Sequence, residues 1–198
     1  MIQFNKPNQE TPYLIFKEKY NNSSNAKQSN IDAISIASYS SIDKEVNARY
    51  VNLKYIDDKE FIFFSNYKSL KSKDFLSHPQ ITALIFWNSI NVQIRMKATI
   101  KATSREYNLK YFANRDKKKN ALAISSDQSS HIKNYDDVHK NYNEVFKNDD
   151  LTKCPEYWGG YSFIPYYFEF WEGHGLRLNK RDIYEMKFNK WEHSILQP

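Results

Sequence analysis

Alternating apolar and polar positions along residues 92–103 give the clearest structural signal in the chain. Apolar residues occupy every second position from Val92 to Ala102, and polar or charged residues fill the positions between them. Because successive side chains of a strand point to opposite faces, this period of two predicts a strand with one buried face. The run ITALIFW at residues 81–87 is apolar at both kinds of position, which predicts a strand covered on both faces.

Runs of β-branched and aromatic residues predict further strands towards both ends of the chain. Residues 31–40, 46–57 and 59–66 are such runs, and only short turns separate them. They are most simply read as an antiparallel meander. Strand character returns at residues 159–173 and 181–188.

Helix start signals lie at both ends of the predicted meander and through the middle of the chain. They are Thr11 with Pro12, Ser69, Ser104, and the acidic pair Asp136 and Asp137. We expect a short first helix followed by a polar loop up to residue 30, then helices over 69–79, from 104 onwards, and over about 135–148. A polar loop, SSDQSSHIKN, precedes the last of these helices.

Strands first, helices in the middle and strands again predict an α+β fold whose antiparallel sheet closes into a barrel. A chain of 198 residues is long enough for a genuine core but short for two full domains. We therefore expect one domain over residues 1–198, with the helix and loop of residues 1–30 at its N-terminal end.

Composition excludes a disordered chain, because 40% of residues are hydrophobic and 16% are aromatic. The net charge of +6 is compatible with anionic ligands and equally with simple solubility. The single cysteine, Cys154, cannot form an intramolecular disulfide or a multi-cysteine zinc site, which indicates a reducing compartment. The five histidines are scattered without ligand spacing, so no metal site is expected.

No run of about 18 apolar residues occurs, and the N-terminus lacks a basic start followed by an apolar stretch. The sequence therefore predicts a cytoplasmic protein without a membrane partner. Glycine-rich nucleotide loops, HExxH and GxSxG are also absent, which argues against dinucleotide-fold, phosphate-loop and serine-hydrolase chemistry.

Cationic side chains beside hydroxyls and amides are the remaining candidates for chemistry. If LRLNKRDIY is extended from residue 176, Arg177, Asn179 and Arg181 point to one face. Tyr111 and Arg115 are four apart, so on a helix a phenol and a guanidinium could hold one phosphate. Composition alone does not show whether these side chains converge.

Seven segments in order resemble the pyridoxamine 5'-phosphate oxidase family from about residue 31 to the C-terminus. They are ARYVNLKYID, FFSNYKSLKSKDFLSHPQITALIFW, NVQIRMKA, KYFANRD, SSDQSS, PEYWGG and EFWEGHGLRLNKRDIY. The resemblance implies a Greek-key-like split β-barrel homodimer that binds FMN in two clefts between the subunits. It also implies oxidation of pyridoxamine or pyridoxine 5'-phosphate to pyridoxal 5'-phosphate, with O2 as acceptor and H2O2 as product.

The same resemblance implies roles for individual residues. Positions similar to the family's FMN-binding residues are Arg49, Tyr50, Val51, Asn52, Leu53, Lys54, Phe64, Ser65, Lys71, Gln93, Gln128, Ser129, Trp171 and Arg181. Positions similar to its substrate-binding residues are Lys54, Tyr111, Arg115, Lys119, Arg177 and Asn179. Arg177 is expected to orient the reacting carbon, with Asn179 beside it in the catalytic region.

Four departures from the family's pattern bear on these expectations. Leu70 stands where the family usually has an arginine, which removes one FMN contact. Lys119 replaces a serine that holds the substrate phosphate, and Asn179 replaces a histidine. An amide can donate a hydrogen bond but cannot titrate as imidazole does. The family's N-terminal arm has no clear counterpart.

Two alternative functions stay open at this point. Lys119 and Asn179 favour an FMN oxidase or reductase of the same superfamily with another substrate, such as a phenazine-type precursor. The net charge and the abundant Tyr and Phe would also suit a non-catalytic binder of vitamer, flavin or nucleic acid. The family interpretation, which we adopt, expects a small-molecule substrate and no nucleic acid.

Overall fold

The computed structural model describes residues 1–198 and contains nine strands and five α-helices. The strands are β1 Gln3–Pro7, β2 Ala33–Ser40, β3 Glu45–Asp58, β4 Glu60–Asn66, β5 Gln80–Trp87, β6 Val92–Ala102, β7 Trp158–Glu172, β8 Lys180–Lys187 and β9 Lys190–Ile195. The helices are α1 Thr11–Asn25, α2 Leu70–Ser77, α3 Arg105–Asn114, α4 Lys117–Ser125 and α5 Asp136–Asn148.

Six strands close into a barrel in the order β3, β2, β5, β6, β7 and β4. The ring closes because β4 pairs antiparallel with both β3 and β7. The strands β8 and β9 extend the sheet beyond β7, and β1 adds to β3 in the parallel direction. The predicted meander of β2, β3 and β4 is confirmed, as is the predicted closure of the sheet.

The core lies inside this ring and continues under α1. Alternation in β6 is confirmed, because Val92, Ile94 and Met96 are buried while the residues between them are not. Phe61 is fully buried at the centre of an aromatic cluster, stacked on Phe163 with ring centroids 5.2 Å apart.

One face of the sheet points away from this core. Residues directly opposite each other in antiparallel strands share a face, and the pairing connects Tyr50 through Ser35, Leu84 and Arg95 to Glu169. The next row on the same face contains Phe86, Gln93, Trp171 and Arg181. We call these two rows the outward face.

The prediction that residues 81–87 are covered on both faces is wrong for a single subunit. Ile81, Ala83 and Ile85 are buried, whereas Phe86 on the outward face is 54% exposed. The outward face of β5 is therefore only partly covered within the protomer, since Leu84 is half-buried and Phe86 is exposed.

The prediction of an extended strand from residue 176 is also wrong. β8 begins at Lys180, and Arg177 lies in a turn with a φ of 61°, its N–H donating to the His174 carbonyl. Arg177 and Asn179 consequently do not share a strand face with Arg181.

Three elements were not predicted, and α1 is longer than expected. The short edge strand β1 is polar, and it exists through backbone pairing with β3. The helix α4 begins after Asp116, whose carboxylate accepts from the Lys119 N–H, and β9 forms a hairpin with β8. The helix α1 runs through the first part of the predicted polar loop to Asn25.

Replacing Phe61 by Ala should destabilise the protein by about 3–5 kcal/mol, because it leaves a cavity among packed aromatic rings. The matched control is Phe188→Ala, since Phe188 is 97% exposed and its loss should change the free energy of unfolding by less than about 0.5 kcal/mol. Urea unfolding monitored by circular dichroism measures both values. Equal effects of the two substitutions would contradict this description of the core.

Candidate cofactor and substrate site

A cleft of about 480 Å³ opens beside β3 and β4 and is bounded by α2 and by the junction of α3 and α4. Its volume lies within the range usual for small-ligand sites. The lining residues are Tyr50, Val51, Asn52, Lys54, Phe64, Ser65, Lys71, Tyr111, Asn114, Arg115, Asp116, Lys119 and Gln128. Four cations thus share one cleft with one lining carboxylate.

Lys71 is a buried cation without a carboxylate partner. It lies in the first turn of α2 and is only 8% exposed, and its Nζ donates to the hydroxyls of Ser65 and Ser69 at 3.0 Å each. Burial, together with the charge of Arg49, lowers the pKa of Lys71 to about 8. Burying an unpaired charge is costly, and helix N-termini favour anions. This end of the cleft is therefore suited to a phosphate.

Arg49, in contrast, is neutralised within the protein. Its guanidinium donates to the buried carboxylate of Asp74 at 3.1 Å and to the Ser38 hydroxyl at 2.6 Å. Ser38 in turn donates to the same Asp74 oxygen. Arg49 is close enough to affect the pKa of Lys71, but it does not line the cleft.

Lys54 reaches the cleft because of an irregularity in β3. The register against β4 shifts between Leu53 and Tyr55, which leaves Lys54 at a bulge. Bulges redirect side chains and are frequent beside functional sites. The Lys54 Nζ donates to the Asp32 carboxylate at 3.1 Å, so a second carboxylate holds this cation from outside the lining.

The junction of α3 and α4 supplies the other two cations. Tyr111 lies in the last turn of α3, and Arg115 follows the helix end instead of lying in the helix. The Nη1 of Arg115 donates to the Lys119 carbonyl at 2.7 Å and to the side-chain oxygen of Asn120 at 3.1 Å. The guanidinium also lies 5.0 Å from the centre of the Trp158 ring. These contacts hold Arg115 against the cleft wall beside Tyr111.

Phe64 forms part of an aromatic stack, with its ring 3.7 Å from that of Tyr111 and 5.2 Å from that of Trp158, measured between centroids. The side-chain oxygen of Gln128 accepts from the Ser65 hydroxyl at 3.4 Å. Ser129 lines a neighbouring groove, and the Leu53 side chain is fully buried in the core.

A second group of predicted residues does not line the cleft of the same protomer. Gln93, Trp171 and Arg181 are directly opposite one another on β6, β7 and β8, in one row of the outward face. Arg177 and Asn179 lie in the turn between β7 and β8, where the Asn179 side-chain oxygen accepts from the His174 N–H. The predicted residues thus form two groups in the protomer.

Several charged or polar residues near these groups were missed from the sequence. Asn114 and Asp116 line the cleft, and Asp32 holds Lys54. Asp116 could have been found, because an aspartate before KKKN is a helix start signal. Asp32 could not, since only the pairing of β2 with β3 brings it to Lys54.

Two solved structures share the architecture. Burkholderia lata PhzG, in complex with tetrahydrophenazine-1-carboxylic acid, matches with a TM-score of 0.90 and 24% identity, covering 97% of this chain and 94% of that one. A pyridoxamine 5'-phosphate oxidase-related, FMN-binding protein from Nostoc punctiforme matches with a TM-score of 0.78 and 10% identity, covering 96% and 99%. The fold is therefore of the α+β split-barrel class.

Similarity in sequence identifies the family as well as the fold. Residues 26–148 match the family model described as pyridoxamine 5'-phosphate oxidase, and residues 158–198 match the pyridoxine 5'-phosphate oxidase C-terminal dimerisation region. Two relatives named pyridoxine/pyridoxamine 5'-phosphate oxidase come from Aliarcobacter butzleri and Colwellia psychrerythraea. They are 34% and 33% identical, covering 96% and 95% of this chain and 90% and 87% of theirs. The chain belongs to the pyridoxamine 5'-phosphate oxidase family.

The match to the dimerisation region supports the expected homodimer. None of the five helices has the length and apolar character needed to cross a membrane.

Replacing Lys71 by Met should stabilise the ligand-free protein at pH 7, because it removes a buried, unpaired charge. Lowering the pKa from the usual 10.5 to about 8 corresponds to at most about 3 kcal/mol. Below pH 8 the Lys71 ammonium carries its proton in both the folded and the unfolded chain, so the wild type is fully destabilised. Between pH 8 and 10.5 only the unfolded chain keeps the proton, and the destabilisation falls as the pH rises. Chemical unfolding at pH 7 and pH 9.5 should show the larger difference at pH 7.

The matched control is Lys73→Met, since Lys73 is an exposed lysine of the same helix. It should leave stability nearly unchanged at both pH values. Destabilisation by Lys71→Met at pH 7 would contradict the description of Lys71 as an unneutralised cation.

Proposed function

We propose that this protein is an FMN-dependent oxidase that converts pyridoxamine or pyridoxine 5'-phosphate to pyridoxal 5'-phosphate, with O2 as acceptor and H2O2 as product. The observation that carries this proposal is the gathering of Lys54, Lys71, Arg115 and Lys119 in one cleft. Family membership supports the same reaction. Two phosphorylated rings, one of the cofactor and one of the substrate, account for this number of cations.

The chain's residues fit FMN at the Lys71 end of the cleft. The Lys71 ammonium has only hydroxyl partners and lies near the start of α2, so an incoming phosphate would neutralise it. Ser65 and Gln128 add polar groups beside it, and Tyr50, Val51 and Asn52 of β3 line the adjacent wall. FMN, when bound, supplies the acceptor for the hydride that leaves the substrate carbon.

The other end of the cleft suits the substrate phosphate. Lys54, Tyr111 and Arg115 would bind it through charge-assisted hydrogen bonds, which contribute roughly 1.5–3 kcal/mol each, and the exposed Lys119 would add a weaker contact at the rim. Anchoring each ring by its own phosphate fixes donor and acceptor at the short separation that hydride transfer needs. In this account the protein's residues accelerate the reaction chiefly by positioning.

A second subunit would complete the site. Gln93, Trp171 and Arg181 lie on the outward face, and Arg177 and Asn179 follow in the adjoining turn, away from the cleft lining of their own protomer. The same face carries exposed apolar side chains, including Tyr50 at 76% and Phe86 at 54%. Covering this face with a partner would bury them and bring the second group to the partner's cleft.

A second candidate function has a specific observation in its favour. Lys119 lines the cleft, and an ammonium binds a carboxylate as readily as a phosphate. An FMN oxidase of the same family acting on a carboxylated aromatic compound, such as a phenazine-type precursor, would use it in that way. Arg115 and Tyr111 are compatible with either anion.

Absorption spectra of the purified protein test the proposal directly. Bound FMN should give a yellow protein, and anaerobic addition of pyridoxine 5'-phosphate should bleach the flavin band. Readmission of O2 should restore the band, with formation of H2O2 and pyridoxal 5'-phosphate. Bleaching by a dihydrophenazine carboxylate but not by the phosphate would favour the second candidate, and protein that binds no FMN would contradict both.

Replacing Lys119 by Ser should raise KM for pyridoxine 5'-phosphate about fivefold with little change in kcat. An exposed cation contributes only about 1 kcal/mol to binding an anion at the cleft rim. The matched control, Lys118→Ser, removes an exposed lysine that does not line the cleft and should leave KM unchanged. Steady-state kinetics measure both, and an unaltered KM in Lys119→Ser would remove Lys119 from the phosphate site.

A further inference from the structure

Glu169 is a buried carboxylate that joins three strands of the outward face. It lies on β7 with 3% exposure. One oxygen accepts from Nε of Arg181 on β8 at 2.9 Å and lies 2.8 Å from Nη2 of the same guanidinium, with which it forms a salt bridge. The other accepts from the guanidinium of Arg95 on β6 and from the Tyr167 hydroxyl, at 3.0 and 3.1 Å.

This carboxylate is ionised at neutral pH. Burial alone raises the pKa of Glu169, but hydrogen bonds from Arg95 and Arg181 outweigh it and hold the pKa below its usual range. One negative charge thus faces two guanidiniums, so the trio retains a net positive charge. A buried carboxylate is tolerated only where its acceptor capacity is filled, as it is here.

The consequence for Arg181 is a fixed guanidinium. Its Nε and Nη2 are held by Glu169, and its Nη1 donates to the Gln197 carbonyl at 3.0 Å. A guanidinium has five N–H donors in a rigid planar fork, so these contacts leave two of them free. Arg181 is 26% exposed and lies directly opposite Trp171 on the outward face, so a ligand can reach the free donors. The contacts to Glu169 and Gln197 already fix the plane of the guanidinium.

We propose that Glu169 is a positioning residue for FMN: it fixes the fork of Arg181 so that the two free N–H donors meet the cofactor without reorganisation. The inference rests on the proposed function, in which Arg181 contacts FMN. It deepens that function, because Glu169 itself touches neither cofactor nor substrate. Arg95 completes the arrangement by occupying the second carboxylate oxygen, which keeps Glu169 fully hydrogen-bonded.

A merely structural role for Glu169, bracing β6 against β8, makes a different prediction. If Glu169 only held β6 and β8 together, its loss would lower the stability of the apoprotein. The folded protein would still bind FMN through Arg181 as before. A double-mutant cycle on FMN affinity separates the two roles, because a residue that acts through Arg181 has no further effect once Arg181 is removed.

The experiment measures the Kd of FMN, by flavin fluorescence quenching on apoprotein, for the wild type, Glu169→Gln, Arg181→Gln and the double variant. We expect Glu169→Gln to raise Kd about tenfold or more, and the double variant to match Arg181→Gln alone. The matched control is Glu172→Gln on the opposite face of β7, whose carboxylate pairs with Lys19 at 2.8 Å. It should leave Kd unchanged.

Additive effects in the cycle, or an unchanged Kd in Glu169→Gln, would overturn the inference while leaving FMN binding intact. Should Glu169→Gln fail to fold, Arg181→Lys gives the answer, because Arg95 still pairs with Glu169 in that variant. Lysine keeps the charge but lacks the fork, so we expect a loss of affinity close to that of Arg181→Gln, and full affinity would overturn the inference. Wild-type protein that binds no FMN would instead overturn the proposed function itself.

Discussion

The unneutralised charge of Lys71 is the constraint on which the account of this protein depends. Three partly buried arginines of the fold are each paired with a carboxylate, Arg49 with Asp74 and both Arg95 and Arg181 with Glu169. Lys71 is buried more deeply than these arginines but has only hydroxyl partners, and its burial together with the charge of Arg49 lowers its pKa. A fold that retains such a group is less stable in the absence of a ligand, and an anion bound in the cleft would restore the lost stability.

The barrel explains why this charge lies beside other candidate residues. Closure of the ring by β4 places Ser65 next to α2, and the bulge in β3 turns Lys54 into the same cleft. The break between α3 and α4 adds Arg115 and Lys119 from the far side. Residues distant in the sequence are thus gathered by strand pairing, which is rigid, and not by loops alone. Rigid placement is what catalysis by positioning requires.

The sequence predicted those parts of the fold that periodicity and local start signals encode. The alternation of β6, the meander and the Ser104 helix cap belong to this class. The strand β1 could not be predicted, because its polar residues are ordered only by pairing with β3. Residues 176–179 were predicted as strand because leucines alternate with polar residues there. The structure instead has Arg177 in a left-handed backbone conformation, which a regular strand does not contain.

The candidate site was likewise predicted from the sequence only in part. Convergence of Tyr111 with Arg115 followed from helical spacing, although Arg115 actually lies beyond the helix end. The carboxylates that orient the cations, Asp32 and Glu169, were not found, since each acts across strands whose register no local pattern specifies. Resemblance to the family predicted which cations bind ligands, but only the structure revealed which of them are already paired with a carboxylate of the protein.

Subunit complementation tests the central claim, a site built from two protomers around shared anions, most directly. Lys71→Met impairs the cleft and Arg181→Gln impairs the outward face, so each homodimer has two damaged sites. Mixing and refolding the two variants should restore tight FMN binding at about a quarter of the sites, because each heterodimer then has one site free of both substitutions. A mixture that binds FMN no better than the average of its parent homodimers would contradict the account.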